Sequence, residues 1–231
     1  NILWNTISLS VFTMLIGFPV PILLALLINE IKNVKFKKLI QNITYIPNFL
    51  SVVVIVSMLT LFSNSDYGLF NKITGLFGIA PVDFMSKPAL FQPLYVFSNV
   101  WQFMGFNAII YIAALSSVDQ ELYEAASIDG ATRLQKIIHI SIPCIMSTII
   151  VLFIMRIGSL MSVGFEKVYL MQNSVTLSAS EVISTFIYKN GIQKGQFSYS
   201  TAVGLFNSVI NFVLLVSANF ASKKLTKTSL W

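Results

Sequence analysis

Five apolar runs set the strongest constraint on what this sequence can fold into. They cover residues 4–28, 45–63, 93–115, 144–163 and 201–221. A helix needs about 20 apolar residues to cross the hydrocarbon core of a bilayer, and each run is close to that length. The pattern predicts an all-α polytopic membrane protein that forms a single transmembrane domain over residues 1–231.

The composition excludes most other classes of protein. Of the 231 residues, 55% are hydrophobic and only 10% are charged, and the mean hydropathy is +0.78, whereas an average soluble domain has about 25% charged residues. The formal charge of +6 comes largely from lysines near the ends of the apolar runs, which is typical of membrane orientation and not of nucleic-acid binding. One cysteine, Cys144, and one histidine, His139, offer no ligand set for a metal ion.

Lysines in two polar segments predict the orientation in the membrane. Residues 29–42 contain four lysines and one acidic residue, and residues 221–231 contain three lysines and no acidic residue. Positive charge favours the cytoplasmic side, so we expect both segments to lie inside the cell. Five spans then place residue 1 and the loops 64–92 and 164–200 outside, and residues 119–143 inside. The lysines of the two inner segments are Lys32, Lys35, Lys37, Lys38, Lys223, Lys224 and Lys227.

The second outer loop contains a stretch with a helical pattern, "SASEVISTFIYKNG". Its apolar residues recur at helical spacing, and a serine at its start and a glycine at its end are typical helix boundaries. We expect one helix in this loop, capped by Ser178 or Ser180 and stopped by Gly191.

The inner segment differs from the rest of the chain because it reads "ELYEAASIDGATRLQKIIHISIP". Its first part has helix-forming residues, and Asp129 followed by Gly130 predicts a sharp turn. A second helical stretch then runs to Pro143. The small side chains of Ala125, Ala126 and Ala131 would let another protein approach closely, and the surrounding charges would fix its orientation.

This segment resembles the EAA motif of permease subunits in bacterial ABC importers. The family often has a second proline where this chain has Ser147. The resemblance implies a type I ABC importer transmembrane fold, in which the EAA loop forms a coupling helix that docks on an ATPase subunit. The residues in the motif positions are Glu124, Ala125, Ala126, Asp129, Gly130, Ala131, Ile140 and Pro143, and the expected docking residues are Glu124, Ala125, Ala126, Asp129, Gly130, Ala131 and Arg133.

Three further stretches resemble the oligosaccharide importers of Gram-positive bacteria: "VGFEKVYLMQN", "STAVGLFNSVINFVLL" and "TSLW". This implies a cell-membrane permease that moves an oligosaccharide inward by alternating access. A non-sugar solute, such as an amino acid, a peptide or phosphate, is the chief alternative cargo. Family members usually have one more N-terminal span, so the start at Asn1 suggests that a first helix is missing.

The same resemblance implies the partners of the chain. They are a second, homologous permease, two ATPase subunits and an extracellular sugar-binding lipoprotein. The chain itself has no GxxxxGK[ST] loop for binding ATP phosphates, so we expect it to be no enzyme and to bind no cofactor, with ATP and magnesium bound by the separate ATPase. An ion-coupled secondary transporter commonly has acidic residues within its spans, and none lies in the five runs.

Polar side chains within the apolar runs are candidates for the substrate pathway. Asn99, Gln102 and Phe106 share one helical face and offer the amides and the aromatic ring that a glycan favours, although such amides can also bond neighbouring helices. Trp101, Gly105, Ala108 and Ile112 form a second face, which we assign to helix packing.

Further candidates lie in the last two runs and at the outer mouth. Asn207 and Asn211 share a polar stripe with Gly204 and Ser208, which we expect to contact the partner permease or the sugar. Arg156 is the most costly residue, because insertion of a charge at the centre of a span costs about 2.5–3.5 kcal/mol. It is expected to face the interior of the bundle. Outer-mouth candidates are Glu166, Tyr169 and Gln172.

Overall fold

The computed structural model describes residues 1–226 and residue 229. All the regular secondary structure in this part of the chain is helical, which confirms the prediction of an all-α protein. Lys227 of the predicted inner tail, and Thr228, Leu230 and Trp231 of the "TSLW" stretch, lie outside the described residues.

The described chain contains fourteen α-helices of very different lengths. Two 3-10 helices, Ile46–Phe49 and Phe84–Ser86, and two π-helices, Ile137–Ser141 and Tyr188–Gln193, lie between them. The α-helices are α1 (Ile2–Gly17), α2 (Pro19–Asn29), α3 (Val34–Tyr45), α4 (Val52–Ser63), α5 (Leu69–Gly75), α6 (Pro88–Ser116), α7 (Gln120–Ile128), α8 (Arg133–Lys136), α9 (Ile142–Cys144), α10 (Met146–Gly158), α11 (Phe165–Met171), α12 (Leu177–Ser180), α13 (Ile183–Ile187) and α14 (Phe197–Thr226).

Three stretches are long and apolar enough to cross a membrane. They are Ile2–Asn29, Pro88–Ser116 and Phe197–Lys224. Two helix pairs pass the same test together but are bent, by 98° between Val34–Phe49 and Val52–Ser63 and by 63° between Arg133–Cys144 and Met146–Gly158. The described chain therefore has three candidate spans, or up to five if each bent pair is one span. The first bent pair contains the second apolar run, and the second bent pair contains the fourth run as far as Gly158.

The described chain forms two compact units. The first contains Asn1–Met14, Leu50–Asn99 and Ser159–Phe212, and the second contains Leu15–Phe49, Val100–Gly158 and the described residues of Val213–Trp231. The long helices α1, α6 and α14 each contribute to both units.

In the second unit, small residues of α6 allow close helix packing. A Cβ atom on Gly105 would lie 2.1 Å from the carbonyl oxygen of Thr44, and Ala108 is fully buried in the core. Packing by this face of α6 is thus confirmed from Gly105 onward. The prediction is wrong for Trp101, which is 41% exposed, because a large ring does not fit where helices approach closely. The core residues are Ala25, Leu26, Ala108, Tyr111, Leu115 and Ile145, with Ile112 packed against them.

In the first unit, α1 binds the loop 164–200 through polar side chains. The Nδ2 atom of Asn5 donates hydrogen bonds to the carbonyl oxygens of Ser178 (2.9 Å) and Glu181 (3.1 Å). The backbone N–H of Ile183 donates to the hydroxyl of Thr6 at 3.0 Å. These bonds satisfy backbone groups that a continuous helix would otherwise satisfy itself.

The prediction of one continuous helix in this loop is therefore wrong. The helix breaks between α12 and α13, where the side chain of Asn5 donates hydrogen bonds to two backbone carbonyl groups. Neither Ser178 nor Ser180 therefore caps a long helix. Gly191 is not the stop either. It lies inside the second π-helix, where a Cβ atom would lie 2.7 Å from the side chain of Ser200. The helical path ends near Gly195, whose φ of +70° favours glycine.

Elbow segment and candidate pathway residues

The elbow segment, residues 119–143, begins with a capped helix whose surface is open. The Oδ1 atom of Asp119 accepts a hydrogen bond from the backbone N–H of Glu121 at 3.0 Å, so an acidic residue caps the positive end of α7. No residue of α7 is buried. A helix whose surface is open in this way is available to another molecule.

Gly130 forms the bend of the elbow segment. Its φ of +77° lies in the left-handed region, which residues with a Cβ atom adopt only with strain. The N–H of Ala131 donates to the carbonyl oxygen of Ala126 at 2.9 Å, the closing bond of a glycine-terminated helix. The predicted sharp turn at Asp129 and Gly130 is thus confirmed.

The second arm begins with a reciprocal cap and contains a π-helix. The N–H of Thr132 donates to Oε1 of Gln135 at 2.7 Å, and the N–H of Gln135 donates to the hydroxyl of Thr132 at 3.4 Å, which is a capping box. The arm continues through the π-helix Ile137–Ser141 and α9 as far as Cys144, one residue beyond the predicted end at Pro143. π-Helices are rare and are frequent at functional sites.

Two side-chain hydrogen bonds connect the arms of the elbow segment. The hydroxyl of Tyr123 lies 2.9 Å from Oγ of Ser141, and Nζ of Lys136 donates to Oγ of Ser127 at 2.6 Å. Ser141 is only 1% exposed, so the first bond connects α7 to a buried position in the π-helix. The bend between the arms is held by side chains as well as by the backbone turn.

The outer surface of the elbow mixes apolar and charged side chains. Ile128 is 87% exposed and Leu134 is 64% exposed, although apolar side chains of this size are more often buried. Ala126 and Ala131 are half-buried, and the other predicted docking residues are exposed: Glu124, Ala125, Asp129, Gly130 and Arg133.

Three of the predicted pathway residues lie in the second unit. Gln102 is buried at 2% exposure and Phe106 is 47% exposed, one helical turn further along α6. Arg156 lies on α10 with its side chain exposed, so the prediction that it faces the interior of the bundle is wrong for the described part of this chain.

The other four lie in the first unit. Asn207 and Asn211 are one turn apart on α14, and both are half-buried. Asn211 accepts a hydrogen bond from the N–H of Met161 (2.9 Å) and donates one to Oγ of Ser162 (3.0 Å). Buried Oδ1 of Asn207 has no hydrogen-bond partner within the described part of the chain. Asn99 is half-buried and Glu166 is exposed.

Of the remaining outer-mouth candidates, Tyr169 belongs to a group of three rings. It contacts Phe165 and Tyr188, with ring centroids 5.4 and 5.1 Å away, and its hydroxyl accepts a hydrogen bond from Gln193 at 3.1 Å. Gln172 donates to the carbonyl oxygen of Ser180 at 2.8 Å. Within the described residues, no group of three His, Cys, Asp or Glu side chains could hold a metal ion.

Comparisons with known proteins identify the family of the chain. Residues 3–227 match the family described as "Binding-protein-dependent transport system inner membrane component". The chain is 43% identical to protein LplB of Bacillus subtilis, over 100% of this chain and 73% of the relative. It is 44% identical to the polygalacturonan/rhamnogalacturonan transport system permease protein YteP of the same organism, over 96% of this chain and 70% of the relative.

Solved structures also match. A bacterial alginate ABC transporter in complex with an alginate pentasaccharide-bound periplasmic protein aligns with a TM-score of 0.95 and 41% identity, over 99% of this chain and 80% of that chain. A bacterial ABC transporter involved in the import of the acidic polysaccharide alginate aligns with a TM-score of 0.94 and 40% identity, over 97% of this chain and 79% of that chain. The predicted type I importer fold is thus confirmed.

Proposed function

The chain belongs to the family of inner membrane components of binding-protein-dependent transport systems, and from this premise we propose that it is the permease subunit of an ATP-driven oligosaccharide importer. It lies in the cell membrane. One similar relative is named for polygalacturonan/rhamnogalacturonan transport, and one matching structure is an importer of alginate, which favours a sugar over an amino acid, a peptide or phosphate. Family membership makes the chain a transport subunit.

The observation that carries the proposal is the elbow segment. Its exposed surface, glycine bend and two cross-connections form a stiff projection that suits docking in a groove of another protein. A single short helix buries less than the roughly 1,200 Å² of a standard stable interface. Firm docking therefore requires two such projections, one from this chain and one from a second, homologous permease, on a pair of ATPase subunits that bind ATP and magnesium.

The movement of the elbow would be passed to the helix that follows it. The bond between Tyr123 and Ser141 connects α7 to the π-helix, which leads through α9 into α10. ATP-driven closure of the ATPase pair would draw the two elbows together. Rigid-body rocking of the permeases would then expose a cavity alternately to the external sugar-binding lipoprotein and to the cytoplasm.

The charges of the apolar runs favour an anionic cargo. The five apolar runs contain no Asp or Glu, while Arg156 lies within the fourth run, where insertion of a charge is costly. A saccharide with carboxylate groups would gain from this cation, and alginate, the cargo of one matching importer, is an acidic polysaccharide. We therefore include uronate-containing oligosaccharides in the proposal.

Uptake by the complete importer tests both parts of the proposal. The complex is reconstituted in proteoliposomes with its external binding protein, and ATP-dependent uptake of a labelled uronate tetrasaccharide is compared with uptake of a neutral tetrasaccharide. We expect the uronate to be taken up faster, and Gly130→Pro or Glu124→Lys to abolish uptake while membrane insertion persists. Uptake without ATP would contradict the importer mechanism, and preferential uptake of the neutral sugar would contradict only the anionic cargo.

A further inference from the structure

Helix α3 presents an apolar stripe that no described residue of its own unit covers. None of its residues is buried. The spacing of three and four residues places the apolar side chains on one face. An exposed stripe of large apolar side chains marks a surface that meets a partner or a membrane. The stripe consists of Phe36, Leu39 and Ile43, together with Ile46 at the start of the following 3-10 helix, and these side chains are 52–59% exposed.

A polar border runs along one side of the stripe. Lys35, Lys38 and Asn42 are exposed, and helical spacing places them next to the apolar face. The other half of the helix, which includes Ile40 and Thr44, is half-buried. The exposed half of α3 is thus divided along its length into an apolar part and a basic part.

The charge at the start of α3 is unusual for a helix. Asn33 caps it by accepting hydrogen bonds from the N–H groups of Lys35 (3.0 Å) and Phe36 (3.2 Å), and no acidic residue lies in the first turn. Lysines there add to the positive end of the helix dipole, which normally attracts acidic residues. The basic side chains are Lys32, Lys35, Lys37 and Lys38. An anionic partner would offset this accumulation of charge.

The far end of α3 is fixed, so the stripe cannot easily turn inward. The backbone of Thr44 packs directly against Gly105 of α6, and Pro47, just beyond the helix, is buried. The helix also begins only a few residues after α2, the second half of the first candidate span. Its exposed surface therefore follows closely on a stretch that is long and apolar enough to cross a membrane.

We propose that α3 is an interfacial helix that binds anionic phospholipids of the cytoplasmic leaflet. The apolar stripe would lie at the boundary between head groups and acyl chains, and Lys32, Lys35 and Lys38 would bind lipid phosphates. Basic amphipathic helices and juxtamembrane lysine clusters have this preference. The lysines make a membrane-crossing position costly. The inference rests on the proposed membrane orientation, and charge complementarity favours lipid over a second protein.

The first experiment measures the lipid dependence of the complete importer. The complex is reconstituted in nanodiscs of phosphatidylcholine with 0–40% phosphatidylglycerol, and ATP hydrolysis with the loaded binding protein is measured. We expect phosphatidylglycerol to stimulate the wild type. Each lysine near a membrane surface strengthens attraction to anionic lipid about fivefold. The triple variant Lys32→Gln/Lys35→Gln/Lys38→Gln should therefore need a higher phosphatidylglycerol fraction for half-maximal stimulation of ATP hydrolysis. Added salt should have the same effect on the wild type, because it screens the lysines.

The matched control replaces the same three lysines with arginine. This triple variant keeps the charge, so it should retain the wild-type lipid dependence. If the glutamine variant responds to phosphatidylglycerol as the wild type does, or if the arginine variant loses the response, the proposal is wrong. Loss of ATPase subunits from the glutamine variant in every lipid would instead identify α3 as a protein-docking helix and would also overturn it.

A second measurement locates the stripe itself. A fluorophore is attached to Leu39→Cys in a Cys144→Ser background, because Cys144 is an exposed free thiol. Lipids with a spin label near the head group should quench it strongly, whereas aqueous iodide should not. Strong quenching by iodide alone would place the stripe in water and contradict the proposal. Because this readout needs no cargo, its failure is distinguishable from failure of the proposed transport function.

Discussion

The hydroxyl of Tyr123 lies 2.9 Å from Oγ of the buried Ser141, and this bond joins the two arms of the elbow segment across the turn at Gly130. Ser141 lies in a π-helix that leads directly into α9 and α10. A displacement of α7 is therefore opposed by a contact inside the following helix. This gives the elbow a stiffness that a turn alone would not supply.

Removal of this hydroxyl should weaken transport more than assembly. Tyr123→Phe keeps the ring but leaves Ser141 without this partner, at a cost of roughly 1 kcal/mol. We expect uptake to fall severalfold while the ATPase subunits still co-purify. Tyr67→Phe, which alters an exposed tyrosine of the loop 64–92, is the control. Ser141→Ala and the double variant Tyr123→Phe/Ser141→Ala complete the comparison. If the free-energy effect of the double variant on uptake equals the sum of the effects of the two single variants, the residues are not coupled.

The bend at Gly130 should be sensitive to a methyl group for conformational reasons. Its φ of +77° is nearly the same as the +74° of Gly78, and at either position an added Cβ atom meets none of the described residues within 4 Å. Alanine therefore adds a similar strain of about 1–2 kcal/mol at each. We expect Gly130→Ala to reduce uptake and Gly78→Ala to leave it near the wild-type rate. Equal losses in both variants would mean that strain alone, and not the elbow, determines the effect.

Close packing at Gly105 should make this position intolerant of substitution. The added Cβ of Gly105→Ala would meet the backbone of Thr44 at 2.1 Å, so one of the two helices must shift, at a cost of about 1–3 kcal/mol. We expect a lower Tm of the purified complex. Gly75→Ala, where the added atom has no neighbour within 4 Å in the described part of the chain, should leave the Tm unchanged. An unchanged Tm for both would show that α3 and α6 do not pack as described.

Lys167 should make stability depend on pH. It is 4% exposed, with Nζ 5.8 Å from the ring centroid of Tyr95, and burial lowers its pKa from 10.5 to about 8. Between pH 8 and 10.5, Lys167 is therefore more often protonated in the unfolded chain than in the folded chain. The free energy of unfolding rises as the pH rises from about 8 towards 10.5. Below pH 8 the cost of burying the charge is fully present, up to about 3 kcal/mol.

Lys167→Met removes this charge and keeps an unbranched side chain. We expect a higher Tm at pH 7 and a smaller change of Tm between pH 7 and 9.5, measured on the purified complex. Lys189→Met, at a half-buried lysine of the same unit that pairs with Glu181 at 3.5 Å, serves as the control. A lower Tm for Lys167→Met at pH 7 would mean that the contacts of the Lys167 side chain, among them the one with Tyr95, outweigh the cost of burial.

The spans and the elbow could be predicted because their signals are local. Apolar length predicts spanning helices, and Asp129 followed by Gly130 predicts a turn whatever surrounds it. The capping box of Thr132 and Gln135 also has a local pattern, Thr-x-x-Gln. That pattern could have fixed the start of α8.

Contacts between distant residues could not be predicted in this way. Asn5 interrupts the predicted helix in the loop 164–200 through carbonyl groups more than 170 positions away, and no local pattern reveals such a bond. The burial of Lys167 depends likewise on the packing of other segments around it. The pathway residues remain predictions, because helical periodicity places Asn99 and Gln102 on a face without deciding what that face contacts.

Photocross-linking from Ile128 tests the central claim most directly. This side chain is 87% exposed at the end of α7, and replacement by benzoylphenylalanine in the complete importer would capture whatever covers it. We expect an adduct with the ATPase subunit. The control places the same cross-linker at Leu76, which is 84% exposed in the predicted outer loop, and should give no adduct with the ATPase. An adduct from Ile128 with lipid or with the external binding protein, and none with the ATPase, would contradict docking through the elbow segment.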